Sequence, residues 1–474
     1  MKTIRFTVIA ILAAAFLTGC SNEIPEGSTA DFDNLLSSKE RDELMVKKNF
    51  LPLQHPCMLH TSADIARVRQ NLANSPWKEA YEHLAASPYA QVGQRDRTSA
   101  LKDGYLKRMD AGNWSSKYSD YSNYTALMYD AAACYQLALR YQLSGDTQYA
   151  DNAVSILNAW KNNCKGVLRL EGYTNNIPDP NIYLIMIQGH QMANAAELLR
   201  NYEGWAADDF NGFKEFMKTT FYEVSIQFLK NHQGNQGTMH AWLNWDLATL
   251  TSVLSVGILC DDNNMINWAI SYFKNEDGLF DETGNIMNAV PYVHQDPDSP
   301  EQLGQCEESG RDQGHATLCV SLMGVFCQTA LNVGEDLFAY ADYRALKMAE
   351  YVGKYNLIKD DCWNHSTNVS SNTLTADDFV VLRTAMPYTA YTNPSWSCPE
   401  ISASTDTSRG SKRPCWELFY GYAKSHGQSA IYCQKWSEQM RAYNDYKSDG
   451  GGGDYGPNSG GYDQLGYGTL MFAR

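Results

Sequence analysis

Residues 305–316 read QCEESGRDQGHA. Between positions 308 and 315, Glu308, Arg311, Asp312, Gln313 and His315 gather both charge signs, an amide and an imidazole, and Gly310 and Gly314 loosen the backbone among them. An apolar run of helical character, TLCVSLMGVFCQTAL, follows. A dense polar cluster at the mouth of a buried helix is either a cap with a surface salt bridge or the wall of a reaction site. Two other loops carry compatible chemistry. GNIMNAVPYVHQDPD offers Tyr292, His294 and Gln295, and NHQGNQGTMHAWLNWD offers Asn235, His240, Trp242, Asn244 and Trp245 at a loop-to-helix start. If these loops meet over one cleft, it holds a phenol, imidazoles, a guanidinium, amides and indoles. It has no obvious metal-ligand set and no phosphate loop, so no cofactor is expected.

A phenol, an imidazole and an arginine suit eliminative cleavage of a uronic-acid polymer. The C5 proton lies α to a carboxylate and is not acidic while that carboxylate is negative, so donors or cations must stabilise the charge that develops there. A base takes the proton and an acid protonates the leaving 4-O-linked oxygen. A tyrosine serves both roles where a cation lowers its pKa, and Arg311 and His240 would supply that field.

The elements that must position these groups are helices. TSADIARVRQNL opens on a Thr/Ser–Asp capping pattern and places Ile65, Val68 and Leu72 at helical spacing. Similar segments follow: YTALMYDAAACYQLALRYQLSG, YADNAVSILNAW, IYLIMIQGHQMANAAELLRNY, FKEFMKTTFYEVSIQFLKN, HAWLNWDLATLTSVLSVGILCDD, MINWAISYF and YRALKMAEYVGKYN. Turn signals such as SGD, DDNN and VGED separate them. Alternating β-type segments are scarce before residue 360. The expectation is an all-α chain, an (α/α) toroid or incomplete barrel of helical hairpins whose long loops form a cleft at one end. Residues 358–411 read as loop, WELFYGYAKSHG resumes the helix, and the glycine-rich tail ends in an apolar GYGTLMF that should return and dock.

Charge and cysteine usage bound the partners. The formal charge is −16, which argues against nucleic acid and an anionic membrane surface; local charge in a cleft outweighs that sum at salt. Lys2 and Arg5, the apolar FTVIAILAAAF and then LTGC describe a secretory signal over residues 1–19, with Cys20 placed as in a bacterial lipobox. Residues 20–50 read as a tether and 51–474 as a single domain. The chain is thus expected to be an exported, monomeric, lipid-anchored envelope protein, touching membrane only through Cys20. No later stretch is expected to reach the roughly 18–20 apolar residues of a membrane span. The eleven other cysteines are scattered without a CxxC pair, so spacing suggests no zinc site.

HPCMLHTSADIARVR, IQGHQMANAAELL, LNWDLATLTSVLSVGILCDD, ESGRDQGHATL, WELFYGYA and YDQLGYGTLMF occur in this order. Together they resemble the bacterial alginate lyase superfamily, closest to polysaccharide lyase family 38, from about residue 55 to the C-terminus. The resemblance implies the toroid and cofactor-free β-elimination of alginate or a related polyuronate, with His240 and Tyr292 matching the catalytic pair. Tyrosine would be the acid, and either residue the base according to the stereochemistry at C5. Related lyases carry Asn directly before the catalytic histidine; Met239 stands there in this chain, and Asn235, Gln188 and the pair Asn175 and Asn176 are the alternatives for neutralising the carboxylate. Asn176, Gln188, Trp242, Asn244, Trp245, His294, Gln295, Glu308, Gln313 and His315 are expected to line the substrate site. Bland roles compete: Arg311 could pair with Glu308 or Asp312 as scaffolding, at least one of Trp242 and Trp245 should be core, and Asp246 reads as structural. The rivals are an inverting glycoside hydrolase using Asp246 with Glu308 or Asp312, at carboxylate separations of roughly 6.5–9.5 Å, and a lipoprotein that captures glycans without cutting them.

Overall fold

A computed structural model describes residues 42, 45, 47–108, 123–168, 180–231, 242–278, 283–365, 374–393, 396–406, 408–443, 449–455 and 461–474. Among them helices dominate, in the order α1 Ser62–Asn71, α2 Trp77–Ala86, α3 Tyr124–Ser144, α4 Thr147–Asn163, α5 Met186–Leu198, α6 Ala207–Met217, α7 Glu223–Asn231, α8 Leu243–Leu259, α9 Asn263–Lys274, α10 Ile286–Ala289, α11 Gln313–Asn332, α12 Tyr340–Asn356, α13 Trp416–Ser425, α14 Ile431–Tyr443 and α15 Gly468–Phe472. The strands form two-residue to four-residue pairs: β1 Tyr105–Leu106 with β2 Gly166–Val167, β3 Tyr292–Gln295 with β4 Gln302–Gln305, and β5 Tyr391–Asn393 with β6 Trp396–Cys398.

Local signals explain the helix ends. Thr61 and Asp64 close a reciprocal capping box on α1, whose Ile65 and Val68 are buried. Gly145 ends α3 in the left-handed region at φ 77°, where a side chain would be strained. Asp262 caps α9 by accepting from Asn264 and Met265. One segment read as a single amphipathic stretch, FKEFMKTTFYEVSIQFLKN, carries a π turn at Lys218–Tyr222 between α6 and α7.

α5 and α8 are buried along their whole length and enclosed by other helices. The polar groups this puts inside α5 are met in part, Gln188 and Gln191 by the tail and Asn194 and Glu197 by the segment before α1. α3 packs on α5, α5 on α8, α8 on α11, α11 on α13, α13 on α15, and α15 on α1 and α2, which return to α3. α4 and α9 lie against α3 and α8 from outside that series. α11 corrects one expectation: its 20 residues, with mean hydropathy 1.3, are long and apolar enough to span a bilayer. That apolarity is spent inside the protein, where 83% of the stretch is buried.

Contacts at the helix ends fix direction. Gln142 of α3 donates to the Leu198 carbonyl at the end of α5. Glu197 of α5 and Asp261, just past α8, both bind His55. Asn332 at the end of α11 donates to the Met58 carbonyl at 2.7 Å, and Asn194 of α5 accepts from Leu59 N at 3.0 Å. α3, α5, α8 and α11 therefore run parallel and start at one common end. The eleven cysteines outside the leader are free thiols, ten of them buried. The tail docks as expected, with α15 buried against α1, α2 and α13.

Two buried imidazoles set an acid limit on this core. His190 has neither ring nitrogen hydrogen-bonded, and burial lowers its pKa to about 3. His60 meets Tyr135 Oη at 2.7 Å, and burial, ahead of the nearby charges, lowers it to about 4. Both stay neutral in the fold while the unfolded chain protonates them from about pH 6.5 downward. Their stabilisation is complete above that pH and is lost as pH falls towards 3–4, by about 1.4 kcal/mol per pH unit per group. His190→Leu should therefore flatten the decline of urea-unfolding free energy between pH 6.5 and 4; an unchanged slope would refute the neutral assignment.

Candidate active site

The 3-10 turn Glu307–Gly310 joins β4 to α11 and carries the acidic pair of the opening motif. Both carboxylates turn onto the start of α8. Glu307 Oε2 accepts from Leu243 N at 3.4 Å, and Glu308 Oε1 accepts from Asn244 N at 3.1 Å and from its side-chain amide. Negative charge there answers the unpaired N–H groups and the positive end of the helix dipole. Glu308 Oε2 takes Arg311 Nη1 at 3.3 Å. Arg311 Nε lies 3.6 Å from Asp312 Oδ2, and its guanidinium stands 4.9 Å over the Trp242 ring. With its side chain 13% exposed, Arg311 is neither an isolated surface bridge nor a fully sealed charge.

Asp312 caps α11 by accepting from His315 N at 3.0 Å, while its other oxygen meets His315 Nδ1 at 2.7 Å. Burial pushes the Asp312 carboxyl up, but His315 and Arg311 outweigh it and hold the group well below the usual carboxylate range. His315 keeps an exposed edge. Segment 402–404 runs beside the turn, with Ser402, Ala403 and Ser404 donating backbone N–H groups to the Ser309, Gly310 and Arg311 carbonyls. Gly310 serves close approach rather than looseness, because a Cβ there would sit 2.5 Å from Tyr388 Oη.

Tyr292 opens β3 opposite Gln305 of β4 and is half-buried. His294, two residues on and on the same face, meets Gln305 Oε1 at 2.9 Å; that oxygen also accepts from Thr389 N, so the imidazole donates. Tyr388 lies beside Tyr292: burial first, then Cys398 and Tyr292, raise the Tyr388 phenol. Tyr391 Oη donates to the Glu307 carbonyl. These two tyrosines brace the turn from the side of Tyr292. Neither stands out in the sequence, where YTAY within the expected loop 358–411 is their only signal.

The β3–β4 hairpin replaces what the sequence leads one to expect as loop. Its turn is closed by Gln295, whose amide donates to the Ser299 and Glu301 carbonyls. Asp296 gathers Lys354 Nζ on one oxygen, and Tyr432 Oη at 2.6 Å and Ser299 Oγ at 2.7 Å on the other; Lys354 also reaches Asp298 at 2.7 Å. Burial pushes Asp296 up, yet the hydrogen bonds from Lys354 and Tyr432 bring it to about 2. The Lys354 side chain is 2% exposed, so an ammonium sits enclosed between the Asp296 and Asp298 carboxylates.

Trp242, Asn244, Glu308, Arg311, Asp312 and His315 thus form one connected junction, with Tyr292 and His294 next to it through β4 and Tyr388. Trp242 and Trp245 are both buried. Gln313 is enclosed, donating to Ser402 Oγ at 3.0 Å and accepting from Asn356 at 2.8 Å. Gln188 belongs to another contact: its amide, like that of Gln191, donates to the Tyr462 carbonyl at 3.1 Å and holds the tail. Asp246 accepts from Tyr272 Oη at 2.6 Å and Gly284 N at 2.8 Å, the structural role expected of it. Cys20, Asn175, Asn176, Asn235 and His240 lie outside the described residues.

Comparison with known proteins assigns a family to this geometry. No curated protein matches the chain. Among solved structures, an alginate lyase from Bacteroides ovatus is 15% identical, with 62% of this chain and 83% of that one covered and a TM-score of 0.44. The alginate lyase A1-III of Sphingomonas species A1 is 16% identical over 65% of this chain and 79% of its own, TM-score 0.41. A variant of A1-III complexed with tetrasaccharide is 14% identical over 75% and 96%, TM-score 0.41. The family model described as alginate lyase matches residues 69–361. That span is more than half of the chain and holds both the Glu308–Arg311 junction and the hairpin of Tyr292; the chain belongs to the alginate lyase family and is a polysaccharide lyase.

Proposed function

We propose that the chain cleaves alginate or a related polyuronate by metal-independent β-elimination, in a cleft at the common starting end of α3, α5, α8 and α11. Tyr292 protonates the leaving oxygen, and Tyr292 or His240 removes the C5 proton. Arg311 supplies positive field at the substrate carboxylate, with Asn235 or the pair Asn175 and Asn176 as the neutralising amide; Gln188, expected as a third alternative, has its amide on the Tyr462 carbonyl instead. The observation that carries the reading is the junction in which Glu308 and Trp242 hold Arg311 between the loop before α8, where His240 lies in the chain, and the turn before α11. The starts of α8 and α11 are met by Glu307, Glu308 and Asp312, so the positive field for a polyanion falls to Arg311 and local charge rather than to the net charge of the chain. The closed series of helix neighbours supports an (α/α) toroid as the frame. The Cys20 lipid anchor and a monomeric state belong to the same reading.

The carboxylates a hydrolase would need are committed elsewhere. Glu308 is sealed against α8, Asp246 holds Tyr272 and Gly284, and Asp312 is kept ionised by its partners. A general acid in hydrolysis needs the opposite shift.

Incubation with alginate should raise ultraviolet absorbance from the unsaturated uronate as the polymer shortens. Shortening without absorbance would mean hydrolysis, and neither would mean capture. A calcium chelator, applied well below the melting temperature, should leave turnover unchanged; loss restored by calcium would overturn the metal-independent mechanism.

A further inference from the structure

Far from the Arg311 junction, at the other end of α8 and roughly 25 Å along a 17-residue helix, three potential metal ligands meet. His55 Nδ1 lies 2.6 Å from Glu197 Oε1 and 3.6 Å from Cys57 Sγ, and Cys57 Sγ lies 3.9 Å from Glu197 Oε1. They come from the segment before α1 and from the last turn of α5. Cys57 and Glu197 are buried, and His55 keeps only a small exposed edge. We propose that His55, Cys57 and Glu197 form a site for a divalent zinc-class ion that clamps the start of the domain to the ends of its central helices.

The geometry fits closely on two sides. A zinc ion at roughly 2.0–2.1 Å from nitrogen and 2.3 Å from sulfur, at tetrahedral angles, sets those atoms about 3.6 Å apart, and sulfur and a carboxylate oxygen at about the same separation. The His55–Glu197 edge is hydrogen-bonded and opens by about 0.8 Å to admit the ion. The supporting shell is already in place. His55 Nε2 meets Asp261 Oδ1 at 2.8 Å, the carboxylate–histidine arrangement that fixes the tautomer and turns Nδ1 towards a metal. Cys57 N donates to Glu197 Oε1 at 3.0 Å. Arg200 reaches the outer oxygens, Glu197 Oε2 at 3.5 Å and Asp261 Oδ2, leaving the inner ones to His55. On binding, the thiol of Cys57 and Nδ1 of His55 release their protons to solvent. The two carboxylates and the thiolate are then balanced by Arg200 and the dication. Without metal, the same balance requires a protonated His55 and an un-ionised thiol, and burial does raise that thiol.

The test uses the mature chain after chelation and desalting, titrated with cobalt(II) as a spectroscopic substitute for zinc. One equivalent should produce thiolate-to-cobalt charge-transfer absorption, and zinc should displace it. Zinc should raise the melting temperature of the wild type but not of Cys57→Ala. Glu197→Gln, which keeps the shape and the bond from Cys57 N, should bind cobalt at least tenfold more weakly. Absence of the charge-transfer band in folded wild type, or an equal zinc shift in Cys57→Ala, would overturn the site and leave a protonated His55 between carboxylates as the account. No readout involves polymer cleavage, so the result stands apart from the proposed lyase chemistry.

Discussion

Tyr292→Phe should abolish cleavage while leaving the fold and polymer binding nearly intact. The ring is held by the β3–β4 register opposite Gln305 and by the neighbouring Tyr388, so the lost hydroxyl removes little packing. What disappears is the proton donor to the leaving oxygen and, for some substrates, the base. Removing one acid–base group typically costs roughly 10²–10⁴-fold, and a group that does both jobs costs more. His240→Ala should also disable the enzyme, but unequally. Mannuronate carries its C5 proton on the leaving-group side, where Tyr292 alone reaches both; guluronate presents it on the opposite face, where His240 is required. Rates of both variants on mannuronate-rich and guluronate-rich polymer decide the matter. Near-normal turnover by Tyr292→Phe on both would remove Tyr292 from the chemistry.

The largest expected loss of stability lies in Arg413→Met. The guanidinium spans Asp463 of the tail, with Nη2 at 2.7 Å and Nε at 3.2 Å, and donates through Nη1 to the Gly314 carbonyl at 3.0 Å and to Thr317 Oγ1. Both partners are about 1–2% exposed. Methionine keeps the apolar stem but leaves a carboxylate enclosed without its cation, at a cost of about 3–5 kcal/mol. Adding Asp463→Leu should recover most of that, because the penalty belongs to the stranded charge. The check is the denaturant midpoint of the three proteins. A single-variant loss below about 1 kcal/mol, the range of an exposed pair, would mean that the tail is not fastened here.

Much of this frame was legible because its signals are local. The Thr61–Asp64 box, the Gly145 stop, the Asp262 cap and the apolar runs of α8 and α11 each declare themselves within a few residues. The motif at 305–316 was legible in its local half: Asp312 caps a helix as such spacing predicts, whereas the contact of Arg311 with Trp242 and Glu308 joins segments far apart in the chain. The misses share one cause. The β3–β4 hairpin alternates over only four residues a side, around a turn of aspartate, proline and serine, too short for a period to register. Arg413 and Asp463 are 50 positions apart, and Tyr391 reaches back 84 to Glu307. Metal reasoning from CxxC or HxxxH spacing cannot register a set drawn from positions 55, 57 and 197. The placement of Gly310 followed from no rule about glycine, only from two tyrosines that the fold delivers to it.

Lys354 has a consequence for how the hairpin of Tyr292 is held. Loops built from aspartates and a serine are commonly organised by a dissolved cation, whose occupancy follows its concentration outside. Here the positive charge is part of the polypeptide, supplied once per molecule at synthesis. It cannot be diluted away, competed off or stripped by a chelator. The aim of the Tyr292 strand is thus inherited with the chain and does not wait on a supply of divalent cation in the medium.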